Sequence, residues 1–133
     1  MQLTVNIAPM GCVRMTRRGK WTNAYAQRYL AYKNTIAWAA REKVKKPIES
    51  PVTVKLTFYF PIPPSWPKWK KQEAREGRIR PTVKPDIDNI VKGCFDGMNA
   101  IVWKDDNQVV EESSSKWYSD HPRIEIEVLE VSA

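Results

Sequence analysis

The sequence predicts one α/β domain of the α+β kind, with helices packed on a mixed, partly antiparallel sheet. Three observations lead there. The chain has 133 residues, the size of one domain with a real core. Stretches of strict apolar alternation are interleaved with stretches of helical period. The alternation is clean in several strands, whereas parallel strands covered on both faces read as continuous apolar runs.

Leu3, Val5 and Ile7 alternate with Gln2, Thr4 and Asn6, the pattern of a half-buried strand. Residues 9–22 interrupt regular structure and carry Arg14, Arg17, Arg18 and Lys20 before Trp21. A basic loop edged by an aromatic suits a phosphate backbone, and suits a solvated loop nearly as well. Asn23 or Thr22 is placed to cap a helix that runs to about Lys46 and stops at Pro47. Tyr25, Tyr29, Ile36, Ala40 and Val44 fall near helical spacing, and Tyr32 and Trp38 widen that apolar surface. These aromatics are expected in the core and not as base-stacking platforms. Arg28, Lys33, Arg41, Lys43, Lys45 and Lys46 charge the rest of the helix.

Val52, Val54, Leu56, Phe58 and Phe60 alternate with Thr53, Lys55, Thr57 and Tyr59, the clearest strand in the chain. Pro61, Pro63 and Pro64 end it, because proline cannot continue a ladder. Ser65 is a candidate cap for a short helix over 66–76, with Pro67 tolerated in its first turn. Residues 66–84 hold seven basic side chains and two acidic ones, and 77–84 read as a basic loop. Asp88 is a candidate cap for a third helix, Asn89 to about Met98. Residues 108–118 and 123–131 read as strands, the second with Ile124, Ile126 and Val128 on one face and Glu125 and Glu127 on the other.

The net charge is +7, which points to nucleic acid or another anionic partner. Cys12 and Cys94 are too few and too far apart for a disulfide framework or a zinc site, and Cys94 is expected in the core. His121 is the lone histidine and sits in a Ser-Asp-His-Pro turn, so histidine ligation and a Ser-His-Asp triad are poorly supplied. No window approaches ~18 consecutive apolar residues and no signal peptide is visible, so a cytoplasmic protein without a membrane partner is expected.

Charge is unevenly distributed. Seven of the fifteen acidic residues lie between Asp86 and Glu112, against two lysines, Lys92 and Lys104. That stretch is −5 and the rest of the chain +12. An acidic island in a basic protein suits carboxylates that hold a divalent cation beside a polyanion. Asp86 and Asp88, two apart after Pro85, would point to one side of an extended backbone. With Asp88 as cap, Lys92 falls one turn later on the same face, placed to meet a phosphate oxygen. Asp105 and Asp106 lie in a turn, and only the fold could bring them to the first pair. Singly, each of these is explained as a cap, a surface ion pair or a turn. Together they crowd carboxylates without matching cations, which is costly unless a metal or solvent compensates.

At these residues the chain resembles the RusA family of Holliday junction resolvases. The shared pattern is Lys84-Pro85-Asp86-Ile87-Asp88-Asn89-Ile90, then Lys92, Phe95-Asp96, Trp103, Asp105-Asp106 and Gln108-Val109. The resemblance implies a RusA-like fold and a homodimer that cuts four-way junction DNA symmetrically with Mg2+, for which Mn2+ can substitute. No organic cofactor is implied, and such proteins are commonly encoded by phages and prophages. It implies Asp86, Asp88 and Asp106 as metal-holding catalytic residues, with Asp105 adjacent, and Lys92 as the catalytic lysine. Asp96, Glu111 and Glu112 are then left as structural acids. Arg14, Arg17, Arg18 and Lys20, with Lys70, Lys71, Arg78, Arg80 and Lys84, are the expected DNA contacts. Two other readings compete: a DNA-binding protein without catalysis, and a nuclease acting on flaps or simple duplex.

Overall fold

The alternating segments form strands, the first ending at Val5 short of Ile7, and the apolar sides of three of them turn the same way. The computed structural model describes residues 1–14, 16 and 23–131. Its elements are β1 (Gln2–Val5), α1 (Ala24–Lys43), β2 (Val52–Pro61), α2 (Lys68–Arg75), α3 (Ile87–Met98), β3 (Val109–Ser119) and β4 (Arg123–Glu130). One 3-10 turn, Asp106–Gln108, precedes β3. The strands lie in the order β1-β4-β2-β3. β4 is antiparallel to both β1 and β2, and β3 is parallel to β2. The sheet is therefore mixed and partly antiparallel, as the alternation predicts.

Register explains the core. Leu56 pairs with Ile126 and Phe58 with Ile124, while Leu3 and Val5 meet the same two isoleucines from the other side. All six are buried. Tyr29, Tyr32, Ile36 and Ala40 of α1, and Ile90, Cys94 and Met98 of α3, complete the core cluster. The two helices approach closely: a Cβ on Gly97 would lie 3.0 Å from Ile36 Cγ2. The opposite face of the sheet carries Gln2, Thr4, Lys55, Thr57, Glu125 and Glu127 around a shallow open depression.

Several boundaries differ from the sequence reading. Asn23 does cap α1, accepting from the N–H groups of Tyr25 and Ala26 at 2.9 and 3.3 Å. The helix ends at Lys43 because Val44 is already extended, well before Pro47. Tyr29 and Tyr32 are core, but Tyr25 and Trp38 are exposed, each beside an arginine (Arg28, Arg41) that covers one ring face. Ser65 does not cap α2; Pro67 holds that position with no side-chain bond. Among the described residues no helix is long and apolar enough to cross a membrane.

The two thiols should differ sharply in reactivity. Cys94 is fully buried, and burial pushes its thiol up to about 12. The thiolate is the reactive form. In the native protein at pH 8, one equivalent of a thiol reagent is expected to react, at half-buried Cys12, and the second only after unfolding. Mass spectrometry of the labelled chain reads this directly, and rapid native labelling of Cys94 would contradict the packing of α3.

Candidate active site

α3 organises the site. Asp86 occupies its N-cap position in extended conformation (φ −65°, ψ 150°), and its side chain makes no capping bond. Helical backbone starts at Ile87, so Asp88 lies inside the first turn and is not the cap. The period-two argument for Asp86 and Asp88 therefore does not apply, because only the first of the two is extended. Asp88 Oδ1 accepts from the Asn89 N–H at 3.0 Å. Helical spacing then puts Asp88, Lys92 and Asp96 in one row, and all three are exposed.

Two straps fix the start of this helix. Lys116, on β3, donates through Nζ to the carbonyls of Val83 at 2.8 Å and Pro85 at 2.9 Å. Arg80 donates to the Lys116 carbonyl at 2.6 Å and lies 3.3 Å from the centroid of the Trp117 ring. On the other side, the segment before Arg14 runs along α3. The Cys12 N–H donates to the Asn89 carbonyl at 3.1 Å, and Asn89 Nδ2 donates to the Cys12 carbonyl at 3.4 Å. The approach requires a glycine at position 11, where a Cβ would lie 2.7 Å from Asn89 Nδ2 and 2.8 Å from Pro85 Cβ. Asp86 consequently sits between two open depressions. One is lined by Arg80, Thr82, Ser114 and Lys116, the other by Gly11, Tyr25 and Asn89, and Lys84 lines both.

The remaining acids gather at the far end of α3. Trp103 is fully buried, and its indole Nε1–H donates to Asp106 Oδ1 at 2.7 Å. Asp105 caps the 3-10 turn, accepting from the Asn107 N–H at 3.1 Å, while Gln108 Oε1 accepts from the Asp105 N–H at 2.9 Å. Partial burial pushes Asp106 above the ordinary carboxylate range. The Trp103 bond opposes that shift, and the charges of Asp96 and Asp105 add to it. Asp96 Oδ2 in turn accepts from the Tyr29 hydroxyl at 3.0 Å. Eight residues separate Asp88 from Asp96, a rise of about 12 Å.

The fold thus places Asp86 and Asp88 at one end of α3, Asp96 and Asp106 at the other, and Lys92 between. Among the described residues no three Asp, Glu, His or Cys side chains are gathered so as to hold one metal ion. The donor set still suits magnesium, a hard cation that takes one or two carboxylates with substrate phosphate oxygens and keeps several waters.

A family model, Endodeoxyribonuclease RusA, matches residues 5–129, nearly the whole chain and every element after β1 up to Leu129. The chain belongs to the RusA endodeoxyribonuclease family. It is an endonuclease of that family. A crossover junction endodeoxyribonuclease rusA of Lactococcus phage r1t is 33% identical over 120 residues, which cover 86% of this chain and 76% of the relative. Protein YqaN of Bacillus subtilis (strain 168), whose own function is uncharacterized, is 44% identical over 97 residues, covering 71% of this chain and 68% of that protein.

Within this RusA-family chain the expected DNA contacts have different surroundings. Arg14 is exposed two residues beyond the strap on α3. Arg17, Arg18 and Lys20 lie outside the described residues. Lys84 is exposed beside Asp86. Arg78 is ion-paired with Glu73 and Glu76, and Arg80 is engaged with Trp117 and Lys116. Lys70 stands 4.1 Å over the Trp66 ring, and Lys71 feels the Asp120 carboxylate. Sequence reasoning missed Lys116, Tyr29 and the placement of Asp96 next to Asp106. For Asp96 a signal existed, since it stands four residues after Lys92.

Proposed function

We propose that this RusA-family endonuclease resolves four-way DNA junctions by paired symmetric nicks, acting as a homodimer with magnesium. The observation that supports it best is the row Asp88, Lys92 and Asp96 on α3, with Asp86 before it, in a chain that is otherwise strongly basic. The junction substrate is taken from the phage relative, a crossover junction endodeoxyribonuclease. Asp86, Asp88 and Asp106, with Asp105 adjacent, are the residues that would hold one or two metal ions, Asp86 and Asp88 from the start of α3 and Asp106 from its far end. When bound, the metal supplies a Lewis acid for the phosphate and lowers the pKa of water. Lys92 offers its ammonium to a non-bridging phosphate oxygen, where negative charge grows in the transition state. Arg14 and Lys84 hold the flanking backbone through charge, without reading sequence. Two opposed nicks call for two sites related by a two-fold axis, hence a dimer. A cytoplasmic location and a phage or prophage origin accord with this role.

The test presents the protein with a synthetic four-way junction, a flap and a linear duplex, each with Mg2+, with Mn2+ and with neither. Symmetric cleavage of the junction alone, dependent on metal, is the expected result. Binding without nicking would favour a non-catalytic junction binder, and equal cutting of flap or duplex would favour a general nuclease.

A further inference from the structure

We infer that Trp103 is a positioning residue for the reaction centre: its buried indole N–H fixes one carboxylate oxygen of Asp106 and so sets where the other points. The inference rests on the reading of Asp106 given above. Trp103 is completely buried yet carries a polar N–H, and a buried indole N–H needs an acceptor. Its acceptor is a side-chain carboxylate, Asp106 Oδ1, at 2.7 Å. That is a short, charge-assisted bond. The ring is fully buried and meets Phe95 of α3 edge-to-face, centroids 5.4 Å apart. Asp106 therefore leaves the core on a rigid support, although it precedes β3 in a three-residue turn.

The neighbouring charges show why a support is needed. Asp96 and Asp105 both repel Asp106. A carboxylate on a short turn would rotate away from them. The indole N–H opposes that motion by holding Oδ1 at 2.7 Å. Donors that orient metal-binding side chains in this way commonly alter metal affinity about 10–100-fold when removed.

Trp103→Phe removes the N–H and keeps an aromatic ring against Phe95. A second variant, with 3-benzothienylalanine at position 103, keeps the full bicyclic shape and removes only the donor. Phe95→Leu is the packing control. The readouts are thermal unfolding, Mn2+ affinity of the protein alone by calorimetry, and the Mn2+ concentration for half-maximal junction cleavage. Both Trp103 variants are expected to need about 10-fold more Mn2+ in each assay. Phe95→Leu should lower the unfolding temperature without moving Mn2+ affinity. Unchanged Mn2+ affinity in both Trp103 variants, or an equal shift in Phe95→Leu, overturns the inference. Asp106→Asn separates the two levels. If it cuts normally, the reading of the site fails; if it is inactive while the Trp103 variants match wild type, only the inference fails.

Discussion

Asp88→Asn is expected to abolish junction cleavage, by at least about 1,000-fold, while junction binding survives. The substitution keeps the side-chain shape and an oxygen able to accept from the Asn89 N–H, the bond Asp88 makes at 3.0 Å. Asp88 is exposed in the first turn of α3, so no core contact is lost. Its charge does favour the positive end of the helix, and neutralising it should cost only about 0.3–1 kcal/mol of stability. What disappears is one carboxylate charge beside Asp86, in the row that continues through Lys92. Metal binding suffers, whereas DNA approaches a less negative surface and should bind equally well or more tightly. Single-turnover cleavage and a gel-shift titration on the same junction measure the two effects. Near-normal cutting by Asp88→Asn would remove the start of α3 from the reaction centre.

The fold was legible wherever burial is one-sided. Val52 to Phe60 and Ile124 to Val128 announce their faces because each apolar residue on these strands has a polar neighbour facing solvent. Helix ends were less legible. Asp88 looks like a cap because aspartate often is one, but Asp86 takes the extended position and the helix begins sooner, at Ile87. Tyr25 and Trp38 were misplaced for another reason: an aromatic at helical spacing reads as core, while an arginine one turn on can cover its outer face. Of the site, spacing along α3 gave Asp88 and Lys92. No spacing could reveal that Tyr29, sixty-seven positions from Asp96, would hold it, or that Asp96 would neighbour Asp106. Those are tertiary contacts between elements that the sequence places independently.

Lys116→Met is expected to lower cleavage on the order of 10–100-fold without weakening the charge-driven part of DNA binding. Lys116 shows how far the site depends on such contacts. It lies on β3 in register with Phe58 of β2, with its ammonium 5.3 Å from the Phe60 ring centroid, and is half-buried. Its three-donor head bonds two carbonyls, those of Val83 and Pro85, in the segment that delivers Asp86. Methionine preserves the stem and its packing but donates nothing. Losing bonds from a charged donor costs about 1.5–3 kcal/mol each, less what water recovers at these accessible carbonyls. The unfolding temperature should therefore drop by several degrees. The larger consequence is geometric, because a displacement of about 1 Å at reacting groups can cost on the order of 100-fold in rate. A lysine that served instead by touching phosphate would behave differently: its loss would weaken DNA binding and flatten the salt dependence by about one counterion. Measuring cleavage rate, unfolding temperature and the salt slope of junction binding on one variant separates the two roles. A flattened slope with an unchanged unfolding temperature would assign Lys116 to the DNA and leave Asp86 without this support.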